Sequence, residues 1–199
     1  MDYFTSDWNL NHHNIISYQN RPFKTIDEMN KTIIDNCNRR ACGPSDRLFI
    51  LGGFVFGPLD EGRYIDNVVS FRRKLTVGQV FLIYGNHDRR GRKSSRFRDL
   101  FTYTGDYLEV ISTSQGSPPA SLILSHYPIE YPYWNRIKDG SIHLHGHMYT
   151  SFCHSPRKLD VGVDGFAART QREKKNPQVL PEDYGVWSLE DILEEISNI

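Results

Sequence analysis

Short apolar runs in this chain alternate with longer stretches whose apolar residues recur at helical spacing. That alternation confines it to an α/β or layered-sandwich architecture. The expected strands cover residues 3–6, 47–51, 80–84, 107–112, 121–125, 141–145 and 159–163. Between the first two, Thr25-Ile26-Asp27-Glu28 reads as a capping box. It opens a helix with Ile26, Met29, Ile33, Ile34 and Cys37 on one face, closed by Gly43-Pro44. Residues 61–75 read as a second helix carrying Ile65, Val68, Val69 and Leu75. Residues 164–184 are polar and punctuated by Gly and Pro, which predicts a long surface loop with Asp164 closing a turn. Ser188-Leu189-Glu190-Asp191 caps a C-terminal helix.

At 199 residues the chain has the length of one domain. Its 24 Lys and Arg balance its 24 Asp and Glu, so no net field favours nucleic acid or a membrane surface. No apolar run approaches the roughly 18 residues of a membrane span. The opening residues MDYFTSDW lack the basic-then-apolar order of a signal peptide. Cys37, Cys42 and Cys153 are odd in number and widely spaced, which fits reduced thiols in a cytoplasmic protein.

Residues able to hold a cation or move a proton follow directly after four of the strands: Asp7, Asn86-His87, His126 and His147. In α/β folds, ligands and catalytic groups gather outside the carboxyl ends of strands. Four such ends predict one cleft.

In order, Asp7, Gly85-Asn86-His87-Asp88, Ser125-His126 and His145-Gly146-His147 resemble the calcineurin-like metallophosphoesterases, in particular their small phage and bacterial members. The opening Thr5-Ser6-Asp7-Trp8-Asn9-Leu10-Asn11-His12-His13-Asn14-Ile15-Ile16, followed by Asn20-Arg21-Pro22-Phe23, is similar to theirs. The resemblance spans nearly the whole chain. It implies a four-layer αββα sandwich, two mixed sheets flanked by helices. It also implies two divalent cations (Mn, Fe, Zn or Ni) that clamp a phosphoryl group and activate a water. His87 takes the place of the proton donor to the leaving oxygen, while Asp7, Asn86, His126 and His147 match metal ligands.

Three expected ligands are replaced: a His by Asn9, the bridging Asp by Gly53, and the closing His by Tyr149. All three belong to the first metal, so one cation or none is expected, and reverting the three is expected to rebuild that position. Two functions follow. One is a metal-dependent phosphoesterase, acting on a phosphomonoester, nucleotide or phosphodiester, with an impaired first site. The alternative is a pseudoenzyme or inactivated variant that binds a nucleotide, nucleic acid or protein.

Asp7 is read as a site residue rather than a turn cap. His12 and Asn14 either face a phosphate or belong to a loop in which Asn14 caps the next helix. His13, His143 and His154 read as surface or packing residues. Residues 89–98 hold six basic residues and no acid, so Arg92, Lys93 and Arg96 are expected to line the cleft and meet a polyanion.

Overall fold

A computed structural model describes residues 1–58, 60–114, 118–130, 140–149 and 157–198. Cys153 and His154 lie outside the described residues. Among the described residues, nine strands form two sheets. The first has the order β4 (Tyr103–Gly105), β3 (Gln79–Ile83), β2 (Arg47–Ile50), β1 (Asp2–Thr5) and β9 (Trp187–Ser188). It is parallel except for β9, which pairs Tyr3 with Ser188 and Phe4 with Trp187. The second has the order β5 (Tyr107–Ser112), β6 (Ala120–Ser125), β7 (Ile142–His145) and β8 (Lys158–Asp160), antiparallel only at β5–β6. Both sheets are therefore mixed.

Alternation along the strands sorts the side chains into two cores. Tyr3, Leu48, Ile50, Val80 and Leu82 face the helices α2 (Ile26–Arg40) and α3 (Glu61–Arg72), which contribute Met29, Ile33, Ile34, Tyr64 and Val68. Their neighbours Phe4, Phe49, Leu51 and Ile83 face the second sheet and meet Leu122, Leu124, Leu144 and Leu159. A one-residue slip in any central strand would exchange its two core-facing sets of side chains. The sheets are packed face to face, and the loops after β1, β2, β3, β6 and β7 supply the residues of one cluster.

Thr25 accepts the Glu28 N–H at 3.1 Å, as the capping box requires, but Glu28 returns to the Lys24 N–H rather than to Thr25. At the C-terminal helix α6 (Leu189–Ser197) both halves of the box form between Ser188 and Asp191. The expected loop at 164–184 is corrected. Val163–Lys174 is a helix, α5, with Val163, Phe166 and Ala167 buried. Its apolar face is thin, and its remaining sequence, Arg-Thr-Gln-Arg-Glu-Lys, is polar and lacks a visible period, although Arg169 in it is buried and paired with Asp191 and Glu194. No helix among the described residues is long and apolar enough to cross a membrane.

Candidate functional site

The cluster is built on strained backbone. Asp7, Asn9, His147 and Tyr149 all have positive φ (57°, 50°, 71° and 52°), as do Gly52 and Gly53 (82° and 67°). Left-handed conformations of non-glycine residues are costly and persist where the surroundings fix them. Here the fixing bonds are explicit. Asp7 N–H donates to the Gly52 carbonyl (2.9 Å) and Asn9 N–H to the Gly53 carbonyl (2.6 Å). The His147 N–H and the Ser6 hydroxyl both donate to Asp7 Oδ2, at 2.7 and 2.6 Å. Asp7 thus ties the loop after β1 to the loop after β7, and it is not a cap.

Arg21, part of the opening segment but assigned no role from the sequence, is buried to 3% exposure. Its guanidinium donates to the Asp7 carbonyl (2.8 Å), to the Trp8 carbonyl (2.9 Å), and through two nitrogens to Asp164 (2.9 and 2.7 Å). Asp164 therefore starts α5 and holds Arg21; it does not close a turn. Burial works against the charged guanidinium, but Asp164 outweighs it and raises the Arg21 pKa. Asp88 is the second brace. Its buried carboxylate accepts the N–H groups of Gly53 (2.7 Å), Gly85 (2.9 Å) and Phe54 (3.1 Å), joining the loops after β2 and β3.

On this frame the side chains meet in sequence. His126 Nδ1 donates to the Leu51 carbonyl at 2.7 Å, and its Nε2 lies 3.0 Å from Asn86 Oδ1. Burial lowers the His126 pKa, against the pull of the buried Asp88 carboxylate. The rings of His126 and His147 are 5.1 Å apart, with Tyr127 4.8 Å from each. His87 Nε2 accepts the Asn86 amide N–H at 3.0 Å. Burial pushes the His87 pKa down to about 4, so the ring is neutral at pH 7. Desolvation pushes Asp7 up to about 6, against the bonds from Ser6 and His147.

The three substituted positions differ in kind. Asn9 Nδ2 donates to the Tyr149 hydroxyl at 2.7 Å and to the Asp7 carbonyl at 3.2 Å, while Asn9 Oδ1 is buried without a hydrogen-bond partner. Burial raises the Tyr149 pKa beyond its ordinary value, so the phenol stays protonated. A Cβ at Gly53 would lie 2.8 Å from Asp7 Cα and 2.9 Å from Asp7 Oδ1, at a φ suited to glycine. An aspartate there requires the Asp7 loop to move.

These observations test the two implied cations separately. Asn86 Oδ1, His126 Nε2 and His147, next to Asp7, offer the donor types one divalent cation takes. Asn9, Gly53 and Tyr149 do not fit a second one: the amide and phenol bond to each other, and no bridging carboxylate exists. Among the described residues, no three or more His, Cys, Asp or Glu side chains form a ready cage. The candidate set therefore depends on the Asn86 amide.

Other expected residues divide. The His12 ring joins the cluster, 6.2 Å from His87. Asn14 sits at the N-cap position of α1 (Ile15–Tyr18) without capping it, and its exposed amide reaches only the Tyr18 hydroxyl at 3.5 Å. Arg92 and Arg96 do have acids, contrary to expectation: Asp106 (2.8 Å) and Asp66 (2.7 Å) arrive from outside the segment. Lys93 is exposed. The charges that reach the cluster are those of Arg89, which lowers the His126 pKa, and Arg90, which lowers that of His87. His13 is exposed, and His143 is a packed residue whose Nδ1 donates to the Ile123 carbonyl (3.0 Å) and whose Nε2 accepts the Ile129 N–H (2.9 Å).

No family model matches the chain. It is 36% identical over 91 residues to the uncharacterized protein MJ1445 of Methanocaldococcus jannaschii, covering 46% of this chain and 48% of that one. It is 29% identical to the gene 66 protein of Mycobacterium phage D29, covering 45% and 54%. The chain spans about half the length of the curated relatives it matches. The crystal structure of AQ665 from Aquifex aeolicus, a protein of unknown function, superposes over 98% of both chains with a TM-score of 0.62 at 22% identity. The fold is shared with that protein.

Proposed function

We propose that the chain is a phosphoesterase of the calcineurin-like type, with the four-layer form of that fold, reduced to one divalent cation and correspondingly weak. The observation carrying this reading is the convergence of His126 Nε2 and Asn86 Oδ1, 3.0 Å apart, beside the His147 ring. Imidazole nitrogen and amide oxygen are donor types that a divalent cation takes. When bound, that cation supplies Lewis-acid polarisation of a phosphoryl oxygen and acidifies a water. Asp7, fixed by Ser6 and His147, supplies negative charge to balance it. Arg89 and Arg90 attract the phosphoester anion. His87, neutral in the free cleft, gains proton affinity when that anion sits beside it and can then protonate the leaving oxygen. Its cysteines Cys37 and Cys42 are free thiols, which suits the cytoplasm.

Calorimetric titration with Mn²⁺, with hydrolysis of a chromogenic phosphodiester measured in parallel, tests the reading. One cation per chain is expected, with activity abolished by chelation and by His87→Ala. Absence of Mn²⁺ binding overturns it. A second reading, a non-hydrolytic phosphoester binder, is favoured by one observation: the Asn9–Tyr149 bond occupies the place where a second cation would be held. Ligand binding and Mn²⁺ binding without any turnover would select it.

A further inference from the structure

Beside His87 a series of rings runs outward from the cluster. Phe56 lies 5.0 Å from His87 with planes at 76°, and His12 lies 4.1 Å from Phe56. His12 is 6.2 Å from His87 at 87°, and Tyr18 continues 6.1 Å beyond His12. Phe56 and His12 are half-buried, and Tyr18 is 67% exposed, one of the few large hydrophobic side chains presented to solvent among the described residues.

Backbone bonds tie the segments carrying Phe56 and His12 together. Leu10 N–H donates to the Phe54 carbonyl (3.2 Å), and Phe56 N–H donates to the Leu10 carbonyl (2.8 Å), bonding the two ring-bearing segments side by side. His12 N–H donates to the Asn9 carbonyl at 3.0 Å. Arg90 holds the next stretch through the carbonyls of Gly57 (2.5 Å) and Pro58 (2.8 Å). Neither core cluster includes Phe56, His12 or Tyr18.

His87 belongs to both groups. Its Nε2 meets Asn86, and its ring meets Phe56 and His12. A phosphoester whose phosphate lies at Asn86 and His126 therefore directs its ester substituent past His87 onto these rings. We propose that Phe56, His12 and Tyr18 form a subsite for the planar base of a nucleoside phosphate; this rests on the phosphoester reading above. Aromatic faces take any base, because each base has a π surface, and stacking of this kind is sequence-tolerant. His12 thus contributes a ring face to the substrate, where the sequence offered a phosphate contact.

The test uses the full chain with Mn²⁺ and two probes, adenosine 5′-monophosphate and ribose 5-phosphate, each titrated by calorimetry. They share the phosphate and the sugar and differ in the base. The nucleotide is expected to bind at least about fivefold more tightly, the lower end of what one stacked base contributes. Tyr18→Ser, at an exposed position, and Phe56→Leu, which keeps an apolar side chain, are each expected to reduce that ratio toward one. Equal affinities for the two probes overturn the subsite and leave the phosphoester reading standing. Failure of both probes to bind overturns both. A ratio unchanged by both variants places the base elsewhere and overturns the subsite.

Discussion

Asp7 is the residue on which site and stability conflict. Its pKa is raised from 3.8 to about 6 by burial, so the folded state holds the proton more tightly than the unfolded chain. The cost of ionising it is absent below about pH 4, grows between pH 4 and 6, and is fully present above pH 6. From the size of the shift it is about 3 kcal/mol. Asp7→Asn keeps an acceptor for Ser6 and for the His147 N–H without that cost. Its melting temperature is expected to match the parent near pH 4 and to exceed it above pH 6, while Mn²⁺ affinity falls. A variant less stable than the parent at pH 7 would show that the carboxylate is needed for the loop itself. At Asn9 the expectation is different: Asn9→His with Tyr149→His, leaving Gly53, is expected to leave Mn²⁺ stoichiometry at one, because no bridging carboxylate is restored.

At the scale of elements, what was legible depended on whether the signal was local. The apolar runs ending on Asp7, Asn86, His126 and His147 disclosed the strand ends, because period and punctuation are properties of neighbouring residues. Arg21 and Asp164 are 143 positions apart, and nothing local marks them as partners. The same holds for Arg92 with Asp106 and Arg96 with Asp66, which is why residues 89–98 looked unpaired. Helix α5 was missed because only its first turn and a half carries apolar side chains. These pairings have consequences. Arg21→Leu removes the cation facing the half-buried Asp164 and leaves the Asp7 and Trp8 carbonyls without its N–H donors, and is expected to cost about 3 kcal/mol in urea denaturation. Replacing Arg92, Lys93 and Arg96 together by Ala is expected to leave nucleotide affinity and its salt dependence within twofold of the parent. A flattened salt slope would return this segment to the cleft rim.

On the scale of the molecule, sheet strand order could not be read from the chain, since β-pairing joins segments far apart in sequence. Strand β1 shows this most sharply: one neighbour, β2, begins at Arg47, while the other, β9, is Trp187–Ser188. During synthesis β1 and β2 can pair early, yet the second edge of β1 stays open until residues 187 and 188 have emerged. An open edge is a template for the wrong partner. The loop carrying Asp7 leaves that same strand, and its anchor Asp164 also arrives late. The Arg21 brace of the cleft can therefore form only after Asp164 is made, and refolding is expected to be slow, as contacts so distant in sequence make it. Nascent chains stalled before residue 187 would carry an exposed edge, and would need shielding until Trp187 and Ser188 arrive to cover it.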